Sequence, residues 1–173
     1  RNLVVTGTHG KTTTSSLLAW LLENANRHPA YLIGGIPKNL SRGCRLNDSD
    51  FSVIEGDEYD TAFFDKRSKF LHYLPEVVIV NNIEFDHADI YNHLDEIKLT
   101  FRRLLNIVPK NGAVFINGDD PNCLDVAKNC PAPLLKVGFG EGADHRITDA
   151  SYGPNGSNFR LDGEPMFLPM DGE

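Results

Sequence analysis

The 173-residue chain is 40% hydrophobic and 24% charged, enough apolar content for one domain with its own core, and it carries no low-complexity run that would suggest disorder or a repeat array. Seventeen basic against 24 acidic side chains leave a net charge of −7 spread along the sequence, which disfavours a nucleic-acid partner. Three cysteines without a CxxC spacing, no apolar run of membrane-spanning length and no basic-then-apolar leader point to a cytoplasmic protein with free thiols and no membrane contact.

Arg1 leads straight into an apolar strand without an initiator Met, so the chain reads as cut from something longer. Asn2 to Thr6 (NLVVT) predicts a strand, followed by a glycine loop and a helix over Thr12 to Asn26, where Leu17, Leu18, Leu21, Leu22 and Ala25 recur at helical spacing. Tyr31 to Ile33 predicts a second strand, and Gly34 to Asp50, rich in Gly, Asn, Ser and Pro, a long loop. Phe51 to Glu55 (FSVIE) and Val77 to Val80 (VVIV) are continuous apolar runs, the pattern of strands buried on both faces of a parallel sheet. Leu94, Ile97, Phe101, Leu104, Leu105 and Val108 form a helical stripe. Asp120-Pro121 supplies an N-cap with proline at the first helical position, and Ala113 to Ile116 and Leu134 to Val137 are further strands. The alternation predicts an α/β fold of P-loop type, an open and mostly parallel sheet flanked by helices. Between Arg146 and Met170 the helical period disappears, and short segments punctuated by Gly153, Pro154, Gly156 and Gly163 predict a small antiparallel appendage.

Thr6-Gly7-Thr8-His9-Gly10-Lys11-Thr12-Thr13 lies between the first strand and the first helix. A bare Gly-Lys pair is more often a turn beside a solvated lysine; strand, GxxGKT and helix together reverse that preference. Gly7 and Gly10 let backbone N–H groups turn toward a phosphate, the helix N-terminus adds partial positive charge, and Lys11 adds a full one for the β- and γ-phosphates. Thr12 puts a hydroxyl where P-loop proteins hold Mg²⁺. Only Thr8 and His9 separate the two glycines, a loop shorter than GxxxxGK[ST]. His9 is either a substrate contact or a solvated loop residue. Glu55 ends a strand at the same sheet edge and is a candidate oxygen ligand for Mg²⁺, whereas at least two of Asp57, Glu58 and Asp60 read as a solvated acidic loop. His87 follows the strand ending at Val80; a histidine there is more often structural than a ligand.

In order and placement, TGTHGKTT, the strand-terminal Glu55 and Asn81 to Asp89 (NNIEFDHAD) resemble the ATP-dependent Mur ligases of bacterial cell-wall synthesis and their folylpolyglutamate synthetase relatives. The short GTxGKT loop belongs to that family's pattern, and the likeness extends to about Gly140. It implies that residues 1–173 are the central ATP-binding domain, with the UDP-binding N-terminal domain, the adenine-contacting segment and the C-terminal domain lying outside them. Residues Gly7, Thr8, His9, Gly10, Lys11, Thr12 and Thr13 would cradle ATP. Lys11 would meet the transferring phosphate, Thr12 and Glu55 would hold one Mg²⁺ and His87 a second, so that Lys11 and His87 are the implied catalytic residues. Asn117-Gly118-Asp119-Asp120 is given a structural loop role. Several relatives carry a carbamylated lysine on the helix after the histidine, where this chain has Arg102; Lys98 lies one turn earlier, and whether it takes that role stays open.

Glu55 to Phe70 (EGDEYDTAFFDKRSKF), with Gly34-Gly35-Ile36-Pro37, is most similar to the tripeptide-adding branch, which implies UDP-N-acetylmuramate and a peptide amine as small-molecule substrates and a place in peptidoglycan recycling. The alanine-adding branch shares Glu-x-Asp-Glu but usually lacks FFDKRSKF. A P-loop NTPase switch would share the loop and Glu55 without needing His87, and a non-catalytic scaffold would not need to keep Lys11, Thr12, Glu55 and His87. The excised domain alone is expected to ligate nothing.

Overall fold

The computed structural model describes residues 1–86, 91 and 93–170. In chain order the elements are β1 (Asn2–Thr6), α1 (Lys11–Asn24), β2 (Ala30–Leu32), β3 (Cys44–Arg45), β4 (Ser52–Glu55), β5 (Asp60–Ala62), β6 (Asp65–Ser68), a 3-10 turn (Lys69–His72) and β7 (Val77–Val80). There follow α2 (Leu94–Ile107), β8 (Ala113–Asn117), α3 (Pro121–Ala127), β9 (Leu134–Gly138), β10 (His145–Gly153), β11 (Gly156–Leu161) and β12 (Glu164–Leu168). Ten strands form one sheet in the order β12-β11-β10-β9-β8-β7-β1-β4-β2-β3, and β5 and β6 pair separately. From β2 through β10 the neighbours run parallel, apart from the edge strand β3; β10, β11 and β12 form the expected antiparallel meander.

Alternation along the strands divides the core between two faces. Val4, Val78, Val80, Val114 and Ile116 pack with Phe101, Leu104 and Leu105 of α2 and Cys123 and Val126 of α3, whereas Leu3, Val53 and Tyr31 pack with Ala19 of α1. The continuous apolar runs are thus buried from both sides, which is why they lack a polar face. On α2 the predicted stripe is the buried one: Ile97, Phe101, Leu104 and Leu105 are all under 4% exposed. On α1 it is not. Ser15 and Ala19 are the buried positions there, Leu18 and Leu22 only flank the core, and Leu21 is 56% exposed.

Three local expectations are revised. The first helix starts at Lys11 and stops at Asn24, two residues short of the predicted end. The predicted loop from Gly34 to Asp50 contains β3, whose two pairs, Tyr31 with Arg45 and Leu32 with Cys44, involve no apolar run; Arg45 is held by stacking over the Tyr31 ring and by donating to the Pro29 carbonyl. Residues 56–72, given no element from sequence, form the β5–β6 hairpin and the 3-10 turn, which buries Phe70 completely with its ring 5.6 Å from that of Phe101. No helix among the described residues is long and apolar enough to cross a membrane. Cys44, Cys123 and Cys130 are free, and burial pushes the Cys123 thiol far up.

Asp120 is more than a helix cap. Its Oδ1 accepts from the N–H groups of Asn122 and Cys123 at 2.7 and 3.3 Å, while Oδ2 accepts from the Ile83 N–H at 2.7 Å and so ties α3 to the segment after β7. Losing the cap costs about 0.5–2 kcal/mol and stranding a buried N–H about 1–3 kcal/mol. Asp120→Ala is therefore expected to lower unfolding free energy in urea by about 2–3 kcal/mol. A loss below 1 kcal/mol would show that water replaces these bonds without cost.

Candidate functional site

The chain leaves β1 for β2 and β4 on one side and returns to β7 on the other, so β1 lies where the winding of the sheet reverses, and the loop after it opens at the carboxyl edge. Gly7 has φ 135°, and a Cβ there would stand 3.0 Å from both the backbone nitrogen and oxygen of Asn82. Gly10, with φ 78°, precedes α1 in the left-handed region, and no side chain caps the helix. The first-turn amides of Lys11 to Thr13 therefore keep their donors for an anion.

Asn81 and Asn82, which follow β7, brace this loop. The Thr8 N–H donates to the Asn82 carbonyl at 3.0 Å and the His9 N–H to Asn82 Oδ1 at 2.8 Å. Asn81 Nδ2 donates to the His9 carbonyl and to Thr14 Oγ1 at 3.2 and 3.1 Å. The Glu84 N–H donates to Thr8 Oγ1 at 2.9 Å. The amides of Thr8 and His9 are thus engaged within the protein, and the His9 ring is largely exposed, 3.9 Å from Glu84.

The Lys11 ammonium folds back over the loop, donating to the carbonyls of Gly7 and Thr8 at 2.7 and 3.3 Å and to the two carboxylate oxygens of Glu58 at 3.2 and 3.0 Å. Glu58 is 2% exposed, so it is the one of the three acids that is not solvated, whereas Asp57 and Asp60 are partly exposed. Asp57 bonds Lys69 and the Tyr59 N–H instead. Nothing in the spacing of EGDEYD distinguishes Glu58 from its acidic neighbours; the hairpin after it, which carries no Gly or Pro turn signal, decides its direction.

Thr12 and Glu55 come together: Thr12 Oγ1 donates to Glu55 Oε1 at 2.8 Å, and Glu55 Oε2 accepts from the Gly34 N–H at 2.8 Å. Two oxygen donors from a helix start and a strand end, beside a phosphate loop, suit a hard cation whose other ligands are phosphate oxygens and water. Among the described residues no three His, Cys, Asp or Glu side chains converge as a metal site. His87, the predicted ligand of a second metal, lies outside the described residues. Lys98 and Arg102 are both directed to Asp125 on α3, at 3.3 and 2.8 Å, and the Lys128 and Lys98 ammonium groups hold the Asp125 carboxyl down at about 2. Asp119 accepts from the N–H groups of Phe139 and Gly140, bracing the turn after β9. A cleft of about 380 Å³ between the hairpin and α2 is walled by residues such as Arg67, Tyr91 and Arg103 and includes no phosphate-loop residue.

The Mur ligase middle domain, as a family model, matches residues 5–170. The chain belongs to the Mur ligase family. It is 52% identical over 120 residues to the UDP-N-acetylmuramate–L-alanyl-γ-D-glutamyl-meso-2,6-diaminoheptandioate ligase of Escherichia coli K12, covering 69% of this chain and 26% of that protein. It is 38% identical over 157 residues to the UDP-N-acetylmuramate–L-alanine ligase of Methylibium petroleiphilum, covering 90% of this chain and 32% of the relative. The crystal structure of the tripeptide ligase from Neisseria meningitides superposes with a TM-score of 0.86 at 41% identity, over 99% of this chain and 56% of that one. The chain spans about a quarter to a third of the length of the two sequence relatives.

Proposed function

We propose that this chain is the ATP-binding central part of a cytoplasmic Mur ligase that joins UDP-N-acetylmuramate to L-alanyl-γ-D-glutamyl-meso-diaminopimelate, the reaction of a murein peptide ligase in peptidoglycan recycling. The observation that carries this reading is the phosphate loop with Lys11 at its mouth and the Thr12–Glu55 pair beside it, 2.8 Å apart, at one sheet edge. Identity of 52% to a tripeptide ligase against 38% to an alanine ligase supports the tripeptide as amine.

A carboxylate does not accept an amine directly, because oxide is too poor a leaving group. ATP first converts it to an acyl phosphate, ADP leaving; the amine then adds to the acyl carbon, and the tetrahedral intermediate expels phosphate. Phosphoryl transfer asks mainly for positioning and charge neutralisation. Lys11 and the first-turn amides of α1 would hold the transferring phosphate, with Gly7 and Gly10 letting the backbone approach it. Thr12 and Glu55 would hold Mg²⁺, and His87 a second ion; bound Mg²⁺ supplies charge neutralisation at the phosphate oxygens.

The test is phosphate release by the full-length protein with UDP-N-acetylmuramate, ATP and either the tripeptide or L-alanine. Release that requires both the sugar nucleotide and the tripeptide, with an adduct of the matching mass, is expected. Preference for L-alanine would assign the chain to the alanine-adding branch, and release without any amine would make it an NTPase.

A further inference from the structure

We propose that Glu58 is the positioning residue for Lys11, holding its ammonium over the loop so that the charge is already in place when the phosphates arrive. This rests on the reading of Lys11 as the phosphate-binding lysine.

An ammonium has three N–H donors. In the structure they meet four protein acceptors within 3.3 Å, two loop carbonyls and both oxygens of Glu58, so protein groups specify the position of the lysine head. The carbonyls belong to the loop itself and would move with it. Glu58 comes from a different part of the chain, and its side chain is 3% exposed against 14% for that of Lys11. A buried ion pair adds little net stability compared with an apolar pair of the same size, so its value lies in placement.

The segment behind Glu58 is built to hold it still. The Tyr91 hydroxyl donates to the Glu58 carbonyl at 2.8 Å. On either side of Glu58, Asp57 Oδ1 accepts from the Tyr59 N–H and the Asp57 carbonyl from the Phe70 N–H, while the Tyr59 carbonyl accepts from the Lys69 N–H. Phe70 in turn is locked against Phe101 in the core. The 3-10 turn that follows the β5–β6 hairpin thus fixes the backbone that carries the carboxylate. A long lysine otherwise spreads over many rotamers; a rigid counter-ion selects one.

The experiment is a double-mutant cycle in the full-length enzyme, with Glu58→Gln, which keeps size and one acceptor but removes charge, combined with Lys11→Ala. Glu58→Gln alone is expected to lower kcat by about 10–100-fold with KM for the peptide amine changed less than about twofold, the loss of one charge-assisted bond. In the K11A background the same change is expected to alter the residual rate by less than about twofold, because the residue through which it acts is gone. Equal losses in both backgrounds, or a normal kcat in E58Q, would overturn the proposal while leaving the role of Lys11 intact. A K11A enzyme that keeps its rate would instead remove the reading on which it rests. If E58Q fails to fold, the cycle is run with Glu58→Asp, which retains the charge but withdraws it by one methylene, and the same two outcomes decide.

Discussion

Replacing Lys11 by alanine in the full-length ligase is expected to lower kcat for ligation by about 10³-fold or more, the scale seen when one preorganised charge is removed from a phosphoryl-transfer or oxyanion site. Lys11 is the one cation that the structure bonds to the phosphate loop: its head reaches the Gly7 carbonyl at 2.7 Å, and among the described residues no other lysine or arginine has a hydrogen bond to residues 7–13. The substitution also removes the Lys11 ammonium from the Glu58 carboxylate, which is 2% exposed. Breaking a buried pair from one side costs about 3–5 kcal/mol, so the melting midpoint should fall together with the rate. Lys11→Arg separates the two effects. It retains a charge for Glu58 and should recover most of the midpoint, while the wider, planar guanidinium should match the loop carbonyls poorly and leave ligation at least about tenfold down. Steady-state kinetics and thermal unfolding on both variants test this; a K11A rate within tenfold of the parent would refute the assignment of Lys11.

The second large effect is expected at Gly7. With φ 135° it occupies a backbone region that costs other residues about 1–3 kcal/mol, and an added Cβ would lie 3.0 Å from the Asn82 backbone. That backbone cannot easily withdraw, because the Asn82 carbonyl accepts from Thr8 and its side chain from His9. Gly7→Ala is therefore expected to destabilise the protein by about 2–4 kcal/mol and to pull the loop out of register, weakening nucleotide binding more than a stability loss alone would. Calorimetric ADP titration of the full-length variant, below its melting range, checks the second part. Unchanged affinity would mean that the loop tolerates the methyl group by shifting Asn82.

The two glycines illustrate what was legible from sequence and why. A strand, two glycines, a lysine and a helix within a dozen residues carry their own geometry, since the backbone angles at Gly7 and Gly10 and the helix start at Lys11 are local properties. Buried strands read equally well, because burial from two sides leaves runs such as Val77 to Val80 with no polar alternation to confuse them. The face of α1 was misread: apolar residues occur around much of the helix, and the small side chains of Ser15 and Ala19 are the ones that permit close approach to the sheet. The edge strand β3 and the β5–β6 hairpin had no signature, since the first is two residues long and the second turns at Phe63-Phe64 with both aromatic rings over 90% exposed.

By itself the sequence determined the order of the three helices and of the buried strands between them, the glycine loop, the cap at Asp120 and the candidacy of Thr12 and Glu55, all of which depend on residue type and short spacing. Tertiary structure alone decided that Glu58, among three neighbouring acids, turns inward to Lys11, that Asn81 and Asn82 brace the loop from the next strand, and that Lys98 and Arg102 converge on Asp125. Each of those contacts joins residues 23 or more positions apart. Such pairings are set by which strand lies beside which and by which core side chain backs the turn, and no local pattern encodes either.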